Sequence, residues 1–368
     1  MKKAKRMESL SSGIFSEMEE RKRKVEARGL KVINIGVGSP DLPPAPHIME
    51  ALRLAAGRPQ NYTYPLVGLP SLRQAVAQWY KRRFNVDLDP EVEVLELMGS
   101  QDGLAHLAMA YIDRGDVALV PDPGYPIYEF SIRLAGGDIF PMPLLSDNHF
   151  LPDLDAIPAD IVRRAKMMWL NYPNNPTAAN AGRGFFEKAV SFARCNNILI
   201  CHDVAYAELA YDGFKPVSFL ETPGAKEVGI EFYSLSKTYN MAGCRLGFAV
   251  GNAAVLADLA LIKSNIDYGV FYAVQEAGVA ALSGPQECVA ETAATYQKRR
   301  DVLVEGLARL GWSMPKPRAS MFVWAPLPRG YSDSIRFTAE LLEKAGIIVL
   351  PGLAFGRQGE GYVRIALV

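Results

Sequence analysis

The chain has 368 residues, 49% of them hydrophobic, and its 40 basic residues balance its 40 acidic residues. This length and composition allow a large buried core and two domains. The zero net charge gives no indication of binding to nucleic acid or to an anionic membrane.

The N-terminal segment starts with basic residues but lacks an apolar stretch long enough for a signal peptide. The other apolar runs are too short to cross a membrane. The 4 cysteines form no CxxC pair or zinc spacing, and the 4 histidines are scattered. We therefore expect a cytoplasmic protein with reduced thiols and no metal site.

The first predicted element is a helix over the charged run EERKRKVEAR. Opposite charges recur four residues apart, as in Glu17 with Arg21 and Glu20 with Lys24. This spacing is typical of a solvated helix face, and Gly29 after the run suits a helix cap. The run is therefore interpreted as a helix surface rather than a nucleic-acid-binding patch.

The next segment, GVGSP, superficially resembles a dinucleotide-binding loop. Pro40 is incompatible with the GxGxxG geometry, and no alternating pattern of strands and helices follows directly. NAD binding is therefore excluded here.

From about residue 90, short β-rich runs alternate with amphipathic helical stretches. The predicted strands are EVEVLEL (91–97), VALVP (117–121), KMMWLN (166–171), ILICHD (198–203), FYSLS (232–236) and RLGFAVG (245–251). The helical stretches lie near 102–112, 126–135 and 183–195. This alternation predicts an α/β domain whose mostly parallel sheet is buried on both faces.

After residue 252 the pattern changes to long helical stretches that continue to about residue 310. The runs MFVWAPL, GIIVLP and GYVRIAL follow, with a helix predicted near 333–345. This pattern indicates a smaller α+β domain, against which the N-terminal arm is expected to pack. The expected division is 1–44 for the arm and part of the small domain, 45–260 for the large domain and 261–368 for the rest of the small domain.

Candidate ligand-binding residues follow the predicted strands, where open α/β sheets bind their ligands. The glycine-flanked turn 99–103 could offer amide groups to a phosphate, although an ordinary helix cap has the same pattern. The turn 122–126 projects Tyr125, which is either a half-buried tyrosine or a platform for a flat heterocycle.

Three further polar residues follow the next two strands. Asn175, in the proline- and asparagine-rich run 171–177, could donate to a phenolate or carboxylate oxygen. Asp203 ends a buried strand, where a carboxylate is costly unless it is paired. One possible partner is a protonated pyridine nitrogen, and Tyr206 could then reach the hydroxyl of that ring.

The run SLSK places a lysine directly after an apolar strand. Burial there would lower the pKa of Lys237, which suits an amine that forms a Schiff base. Ser234, Ser236 and Arg245 suit a phosphate group. A single SxSK motif is more often coincidental, but five such sites at successive strand ends favour one common active site.

The chain resembles the fold type I, pyridoxal-phosphate-dependent class I/II aminotransferases along essentially its whole length. Within them it is most similar to the LL-diaminopimelate aminotransferase-like and aspartate aminotransferase branch. The motifs that carry the resemblance are INIGVGSPD, GLPSLR, GSQDG, PDPGYP, NYPNNPT, HDVAY, SLSKTYNMAG-R and GYVRIAL. The resemblance implies a large domain with a mixed, mostly parallel seven-stranded sheet between helices, plus a smaller α+β domain.

The resemblance also implies catalytic roles. Lys237 would bind pyridoxal phosphate and later move the proton between the substrate Cα and the cofactor C4′. Asp203 would keep the pyridine nitrogen protonated. Tyr206 and Asn175 would hydrogen-bond the ring O3′, and Tyr125 would stack on the ring.

The resemblance further implies how the phosphate and the substrate are bound. The implied phosphate ligands are the amides of Ser100 and Gln101, Ser234, Ser236, Arg245 and a tyrosine of a neighbouring subunit, for which Tyr64 is the first candidate and Tyr62 the second. Arg364 would bind the substrate α-carboxylate, with Gly38 and Asn175 beside it. A homodimer with shared active sites follows.

The chain departs from the family pattern at three positions. Ala178 stands where a glycine usually follows NPT, so the loop after Asn175 could be arranged differently. Cys244 replaces a common tryptophan, and Gly13 replaces a tyrosine of the N-terminal arm of diaminopimelate enzymes. The sequence also ends directly after the predicted strand that carries Arg364, without the usual terminal helix.

The predicted activity is ping-pong transfer of an amino group between an L-amino acid and a 2-oxo acid, with LL-diaminopimelate and 2-oxoglutarate as one candidate pair. Aspartate-, methionine- or aromatic-type aminotransferases and a C–S lyase on the same fold are alternatives. A non-catalytic pyridoxal-phosphate-binding protein is less favoured, because Lys237, Asp203 and Arg364 are all present.

Overall fold

The computed structural model describes residues 1–4, 7 and 13–368. The strands are β1 (Ile33–Asn34), β2 (Val94–Leu97), β3 (Val117–Asp122), β4 (Asp138–Pro143), β5 (Ala165–Asn171), β6 (Leu199–Asp203), β7 (Gly229–Ser234), β8 (Gly247–Gly251), β9 (Phe322–Pro326), β10 (Ile347–Ile348), β11 (Leu350–Pro351) and β12 (Tyr362–Ala366). The helices are α1 (Gly13–Glu26), α2 (Pro46–Ala56), α3 (Pro70–Phe84), α4 (Ser100–His106), α5 (Ala108–Tyr111), α6 (Pro126–Ala135), α7 (Ala159–Arg164), α8 (Arg183–Asn196), α9 (Ala225–Val228), α10 (Leu235–Thr238), α11 (Ala253–Ile266), α12 (Tyr272–Ser283), α13 (Glu287–Arg309) and α14 (Ser334–Ala345).

A seven-stranded sheet in the order β2-β8-β7-β6-β5-β3-β4 forms the centre of the molecule. Strands β3 to β7 are parallel, whereas β8 is antiparallel to both β7 and β2. The predicted mixed, mostly parallel sheet is therefore confirmed. Its parallel strands bring their carboxyl ends to one edge, where the polar residues predicted from the sequence follow.

Helices cover both faces of this sheet, because successive strand side chains point to opposite sides. In β5, Met167 and Trp169 belong to a buried cluster with residues of α4, α5, α6 and α11, whereas Met168 belongs to another cluster with residues of α3, α8 and α12. All three side chains are fully buried. The continuous apolar run of β5 thus reflects burial on both faces.

A second, smaller sheet has three antiparallel strands in the order β11-β12-β9. The short strand β1 pairs in parallel with β10, which joins the N-terminal segment to the C-terminal elements. On α1, Arg21 lies 2.8 Å from Glu17 and Lys24 lies 2.6 Å from Glu20, as the sequence predicts. Gly29, with a φ of 81°, follows this helix.

Three details differ from the sequence-based expectations. Strand β4 was not predicted, because Pro141 and Pro143 suggest a loop, yet prolines are tolerated on the edge strand that β4 forms. The run FYSLS ends as a strand at Ser234, and Leu235 starts α10. The helix expected near 102–112 is divided into α4 and α5.

Within the described residues, no helix has both the length and the apolar character needed to cross a membrane.

Candidate active site

A cavity of about 710 Å³ lies where the carboxyl ends of the parallel strands meet β12 and the N-terminal segment. The site residues predicted from the sequence that line it are Gly38, Ser100, Gln101, Tyr125, Asn175, Asp203, Tyr206, Ser234, Ser236, Lys237, Arg245 and Arg364. Tyr64 does not line the cavity, and its side chain is 74% exposed. Residues from distant parts of the chain thus form a single site.

Lys237 projects into the cavity from α10, directly after β7. Ser234 caps this short helix by accepting the backbone N–H of Ser236 at 3.2 Å. The Lys237 ammonium donates to the carbonyl of Gly38 at 2.7 Å. Burial, together with the charges of Arg364 and Arg245, lowers the pKa of Lys237 to about 8. A larger fraction of this lysine is therefore the neutral, nucleophilic amine at neutral pH than of a lysine in water.

Asp203, at the end of β6, is a buried carboxylate that faces the cavity. Its Oδ2 accepts the Tyr128 hydroxyl at 2.7 Å, and its Oδ1 accepts the Ala205 amide at 3.3 Å. Burial raises the pKa of Asp203, and the Tyr128 hydrogen bond opposes this rise. No cation forms an ion pair with Asp203 among the described residues, so a cationic ligand group would be a favourable partner.

Arg364 extends from β12 and is only 6% exposed. Its Nη1 donates to Asn175 Oδ1 at 2.7 Å, and its Nη2 donates to the Gly36 carbonyl at 2.8 Å. Its Nε has no hydrogen-bond partner in the described structure. The guanidinium lies over the rings of Phe322 and Phe355, at 4.1 and 4.6 Å from their centroids.

Burial lowers the pKa of Arg364 to about 10, so its guanidinium remains charged at neutral pH. It pairs with no carboxylate in the part of the chain that the structure describes. A buried cation with a spare N–H donor is suited to bind the carboxylate of a ligand.

The cavity wall also includes hydrogen-bond donors suited to a phosphate. They are supplied by the start of α4, Ser234, Ser236 and Arg245. A Cβ atom on Gly99, which has a φ of 76°, would lie 2.6 Å from the Arg245 Nη2, so a larger residue would be strained and would require the arginine side chain to shift. Among the described residues, Arg245 donates only to the Ala242 carbonyl, at 3.1 Å, and retains donors for an anion.

Two tyrosines complete the wall. The Tyr125 hydroxyl donates to Gln101 Oε1 at 3.0 Å. The Tyr206 ring packs edge-on against Phe322, with centroids 5.6 Å apart. Burial raises the pKa of both hydroxyls, which therefore stay protonated and able to donate.

The three departures from the family pattern have different outcomes. Ala178 has a φ of 57°, in the left-handed region that favours glycine, and its amide donates to Asn174 at 3.0 Å. The alanine thus holds a backbone conformation to which a glycine is better suited. Cys244 is partly buried and does not line the cavity. Gly13 starts α1, but its surroundings lie outside the described side chains.

Sequence reasoning missed several residues that build the site. Tyr128 holds Asp203, and the rings of Phe322 and Phe355 hold Arg364. Asn171 accepts the Asn175 amide at 2.6 Å and donates to the Asp203 carbonyl at 2.7 Å. The density of asparagines in NYPNNPT was the available signal for Asn171, whereas nothing distinguishes Tyr128 from an ordinary core tyrosine.

The donor set fits pyridoxal phosphate. The cavity combines a lysine of lowered pKa, a buried carboxylate without a cationic partner, hydroxyl donors and an anion-binding group with Arg245. These groups match the aldehyde, ring nitrogen, ring hydroxyl and phosphate of that cofactor. Arg364 remains for a substrate carboxylate.

Comparison with known proteins supports this interpretation. The family model for aminotransferase class I and II matches residues 30–368. The LL-diaminopimelate aminotransferase of Moorella thermoacetica is 53% identical over 100% of this chain and 94% of its own length. That of Syntrophobacter fumaroxidans is 54% identical over 99% of this chain and 94% of its own.

Solved structures agree with these sequence matches. A substrate-bound BacF structure from Bacillus subtilis is 40% identical with a TM-score of 0.96, over 100% of this chain and 94% of that one. A probable N-succinyldiaminopimelate aminotransferase from Thermus thermophilus is 42% identical with a TM-score of 0.91, over 97% of this chain and 95% of that one. The chain therefore belongs to the aminotransferase class I and II family, is similar to LL-diaminopimelate aminotransferases, and is an aminotransferase.

Proposed function

We propose that this aminotransferase binds pyridoxal phosphate at Lys237 and moves the amino group of LL-diaminopimelate to 2-oxoglutarate in a ping-pong reaction. The observation that carries the proposal is the placement of two groups in one cavity, namely a lysine with a pKa of about 8 and the buried Arg364 with a spare donor. The first suits amine chemistry and the second a substrate α-carboxylate. The names of the relatives that are 53–54% identical support the choice of amino donor.

In this proposal each catalytic residue acts on a particular atom or group of the cofactor or the substrate. The bound cofactor supplies the ring that accepts electrons from the substrate Cα. Asp203 keeps the ring nitrogen protonated, and Tyr206 and Asn175 donate to the ring hydroxyl. Lys237 moves the proton between the substrate Cα and the cofactor C4′. Arg364 orients the α-carboxylate so that the Cα–H bond lies near that lysine.

The phosphate ligands are proposed as a separate group. The amides of Ser100 and Gln101, the hydroxyls of Ser234 and Ser236, and Arg245 would surround the phosphate. All of them line the cavity, and Gly99, directly before Ser100, lies close to Arg245. Gly38 would lie beside the substrate carboxylate.

A second class of amino donor is favoured by the apolar part of the cavity wall. That part consists of Val37, Ile127, Phe130, Phe322, Leu350 and Phe355. Apolar walls bind aliphatic or aromatic side chains more readily than a charged distal group. Amino acids with methionine-like or aromatic side chains are therefore the second candidate.

The test is a single-turnover spectral screen of the purified, pyridoxal-phosphate-loaded enzyme. LL-diaminopimelate, glutamate, aspartate, alanine, methionine and the aromatic amino acids are added separately. The expected result is conversion of the pyridoxal band to the pyridoxamine band by LL-diaminopimelate, reversed by 2-oxoglutarate. Faster conversion by methionine or an aromatic amino acid would replace the proposed donor.

Two further outcomes of the same screen would contradict transamination itself. A bound cofactor that never converts supports a non-catalytic role, and release of pyruvate and ammonia supports a C–S lyase. Lys237→Ala is the control variant, because it removes the amine and should abolish both the covalent cofactor band and its conversion.

We also infer that the enzyme is a cytoplasmic homodimer. An exposed group of side chains, here called the tyrosine patch, consists of Tyr62, Tyr64, Leu66, Val67, Tyr268 and Phe271. Its rings form two pairs, Tyr62 with Phe271 and Tyr64 with Tyr268, each with centroids 5.2 Å apart. A contiguous apolar patch of this kind is typical of a protein–protein interface. A second copy of this chain is the proposed partner, with Tyr64 reaching the cofactor phosphate bound in that copy.

The proposed cytoplasmic location has separate support. All four cysteines are free, which agrees with a reducing compartment.

Mixed dimers test this arrangement. Tyr64→Ala removes the proposed phosphate contact, and Lys237→Ala removes the covalent attachment. In a heterodimer of the two variants, one site has a wild-type Lys237 and, from the other subunit, a wild-type Tyr64. That site should regain wild-type cofactor affinity. If Tyr64 acts within its own subunit, or if the enzyme is monomeric in sedimentation, mixing restores nothing.

A further inference from the structure

Tyr128 is a fully buried tyrosine that does not line the cavity but contacts its carboxylate. Its hydroxyl donates to Asp203 Oδ2 at 2.7 Å. Its ring stacks on Trp169 at 5.2 Å between centroids and an interplanar angle of 11°, and Trp169 in turn stacks on Phe232 at 5.9 Å. These rings leave the hydroxyl with little freedom to move away from Asp203.

The hydrogen bond from Tyr128 is the strongest that Asp203 receives. The only other one in the described structure is the longer contact from the Ala205 amide, at 3.3 Å. A buried carboxylate is costly to ionise, and a hydrogen bond to the charged form offsets that cost. The other titratable and charged groups near Asp203 are Lys237, Tyr125, Tyr206 and Arg364 in the cavity and His202, its neighbour in β6.

His202 does not replace Tyr128 in this role. It lies on the opposite face of β6, as neighbouring residues of a strand do, and its Nδ1 lies 2.8 Å from Glu231 Oε1. Lys237 points to the Gly38 carbonyl, and Arg364 points to Asn175 and Gly36. The orientation of the Asp203 carboxylate therefore depends chiefly on Tyr128.

We propose that Tyr128 is a positioning residue, whose hydroxyl holds the Asp203 carboxylate ionised and correctly oriented so that it keeps the ring nitrogen of the bound cofactor protonated. This inference rests on the proposed function, in which Asp203 is the partner of that nitrogen. The competing explanation is that the hydroxyl only satisfies a buried carboxylate and contributes to fold stability.

Tyr128→Phe tests the proposal, because it removes the hydroxyl and keeps the stacked ring. Tyr80→Phe is a closely matched control. Tyr80 is also fully buried, and its hydroxyl donates to another buried carboxylate, Glu231, at 3.1 Å, away from the cavity. Both variants should lower the denaturation midpoint by similar amounts. Only Tyr128→Phe should change the properties of the cofactor.

The expected changes in Tyr128→Phe follow from the loss of one hydrogen bond to a charged group, which corresponds to about tenfold in an equilibrium or a rate. The dissociation constant for pyridoxal phosphate should rise about tenfold. The pH at which the absorbance band of the bound cofactor titrates should shift, and kcat should fall about tenfold while KM changes little. In an Asp203→Asn background, Tyr128→Phe should have no further effect on kcat.

Two results would overturn the proposal. One is a Tyr128→Phe enzyme that matches Tyr80→Phe in cofactor affinity, band titration and kcat. The other is a loss of kcat of the same size in the Asp203→Asn background as in the wild-type enzyme. A wild-type protein in which borohydride traps no cofactor on Lys237 would overturn the proposed function as well, so the two failures are distinguishable.

Discussion

At the scale of single residues, the site depends on how burial changes the charges of its side chains. Lys237 is buried near two guanidinium groups, those of Arg364 and Arg245, and burial and the two positive charges together lower its pKa to about 8. Burial also lowers the pKa of Arg364, but only to about 10, so its guanidinium stays charged at neutral pH, and its Nε has no hydrogen-bond partner in the described structure. One group is thus prepared to react, and the other to bind an anion.

The pKa of Lys237 predicts the pH dependence of cofactor attachment. Only the neutral amine attacks the aldehyde, so the rate of covalent attachment to the cofactor-free protein should rise with pH and level off above about pH 8, rather than near 10.5. Stopped-flow absorbance measures this rate. Arg364→Gln removes a positive charge that lowers this pKa and should move the midpoint upward. A midpoint that stays near 10.5 in the wild-type protein would contradict the prediction.

The same shift predicts how stability depends on pH. The unfolded lysine keeps its proton up to about pH 10.5, whereas the folded one loses it near pH 8. The unfolded state therefore binds more protons between these values, and the stability of the cofactor-free protein should rise across this window. Lys237→Met should remove this rise in urea denaturation experiments performed at several pH values.

At the scale of elements, a buried ion network fixes the start of α4. Lys263 of α11 is 5% exposed and lies 2.8 Å from Asp102 and 2.6 Å from Asp267. Asp102 also accepts the Met98 amide at 2.9 Å and lies 2.8 Å from His106 Nδ1. Burial raises the pKa of Asp102, but the hydrogen bonds from His106 and Lys263 lower it by more, so the net shift is downward. The turn that precedes Ser100 is therefore held by charges on two helices.

Lys263→Met should consequently destabilise the protein by about 3 kcal/mol, because it leaves two carboxylates without their cation in a buried site. It should also weaken binding of pyridoxal phosphate, since negative charge then lies near the phosphate group. Urea denaturation and cofactor titration measure the two effects. Lys81→Met is the control: its pair with Asp87 is exposed, and its loss should cost less than about 1 kcal/mol. Equal effects of the two variants would contradict the role of the network.

The sequence predicts the elements well where burial produces a clear pattern. Each of the six predicted strand runs contains a strand, because central strands are apolar on both faces. Strand β4 was missed because an edge strand tolerates Pro141 and Pro143. The mixed character of the sheet was implied by the family resemblance, but the reversed direction of β8 was not predicted, because hydrophobic periodicity does not indicate strand direction.

Across the complete fold, the site forms only because the seven-stranded sheet and the three-stranded sheet both contribute residues to one cavity. The polar residues after each strand can be recognised one by one in the sequence. In the fold they line the cavity together with Arg364 and Gly38, which are more than 300 residues apart in the sequence. Tertiary contacts such as that between Tyr128 and Asp203 leave no mark in composition or spacing. The division into 1–44, 45–260 and 261–368 stays a prediction, as do the roles of the site residues.

The N-terminal segment that contains Gly36 and Gly38 is attached to the site by the reactive groups themselves. The Gly38 carbonyl accepts from Lys237 and the Gly36 carbonyl accepts from Arg364. Removing the amine should therefore loosen this segment. We expect amide hydrogens of residues 35–42 to exchange faster in cofactor-free Lys237→Met than in the cofactor-free wild-type protein, as measured by mass spectrometry. Lys81→Met should leave this exchange unchanged, and equal rates in all three proteins would contradict the expectation.

The Nζ atom of Lys237 cannot hold the Gly38 carbonyl and bind a cofactor covalently in the same way at the same time. As an amine it donates a hydrogen bond to the Gly38 carbonyl, which holds the N-terminal segment against the cavity. Once this nitrogen is bonded to a cofactor, it can no longer donate in the same way. Attachment of the cofactor would therefore free the Gly38 carbonyl from the lysine, while the hydrogen bond between Gly36 and Arg364 would remain.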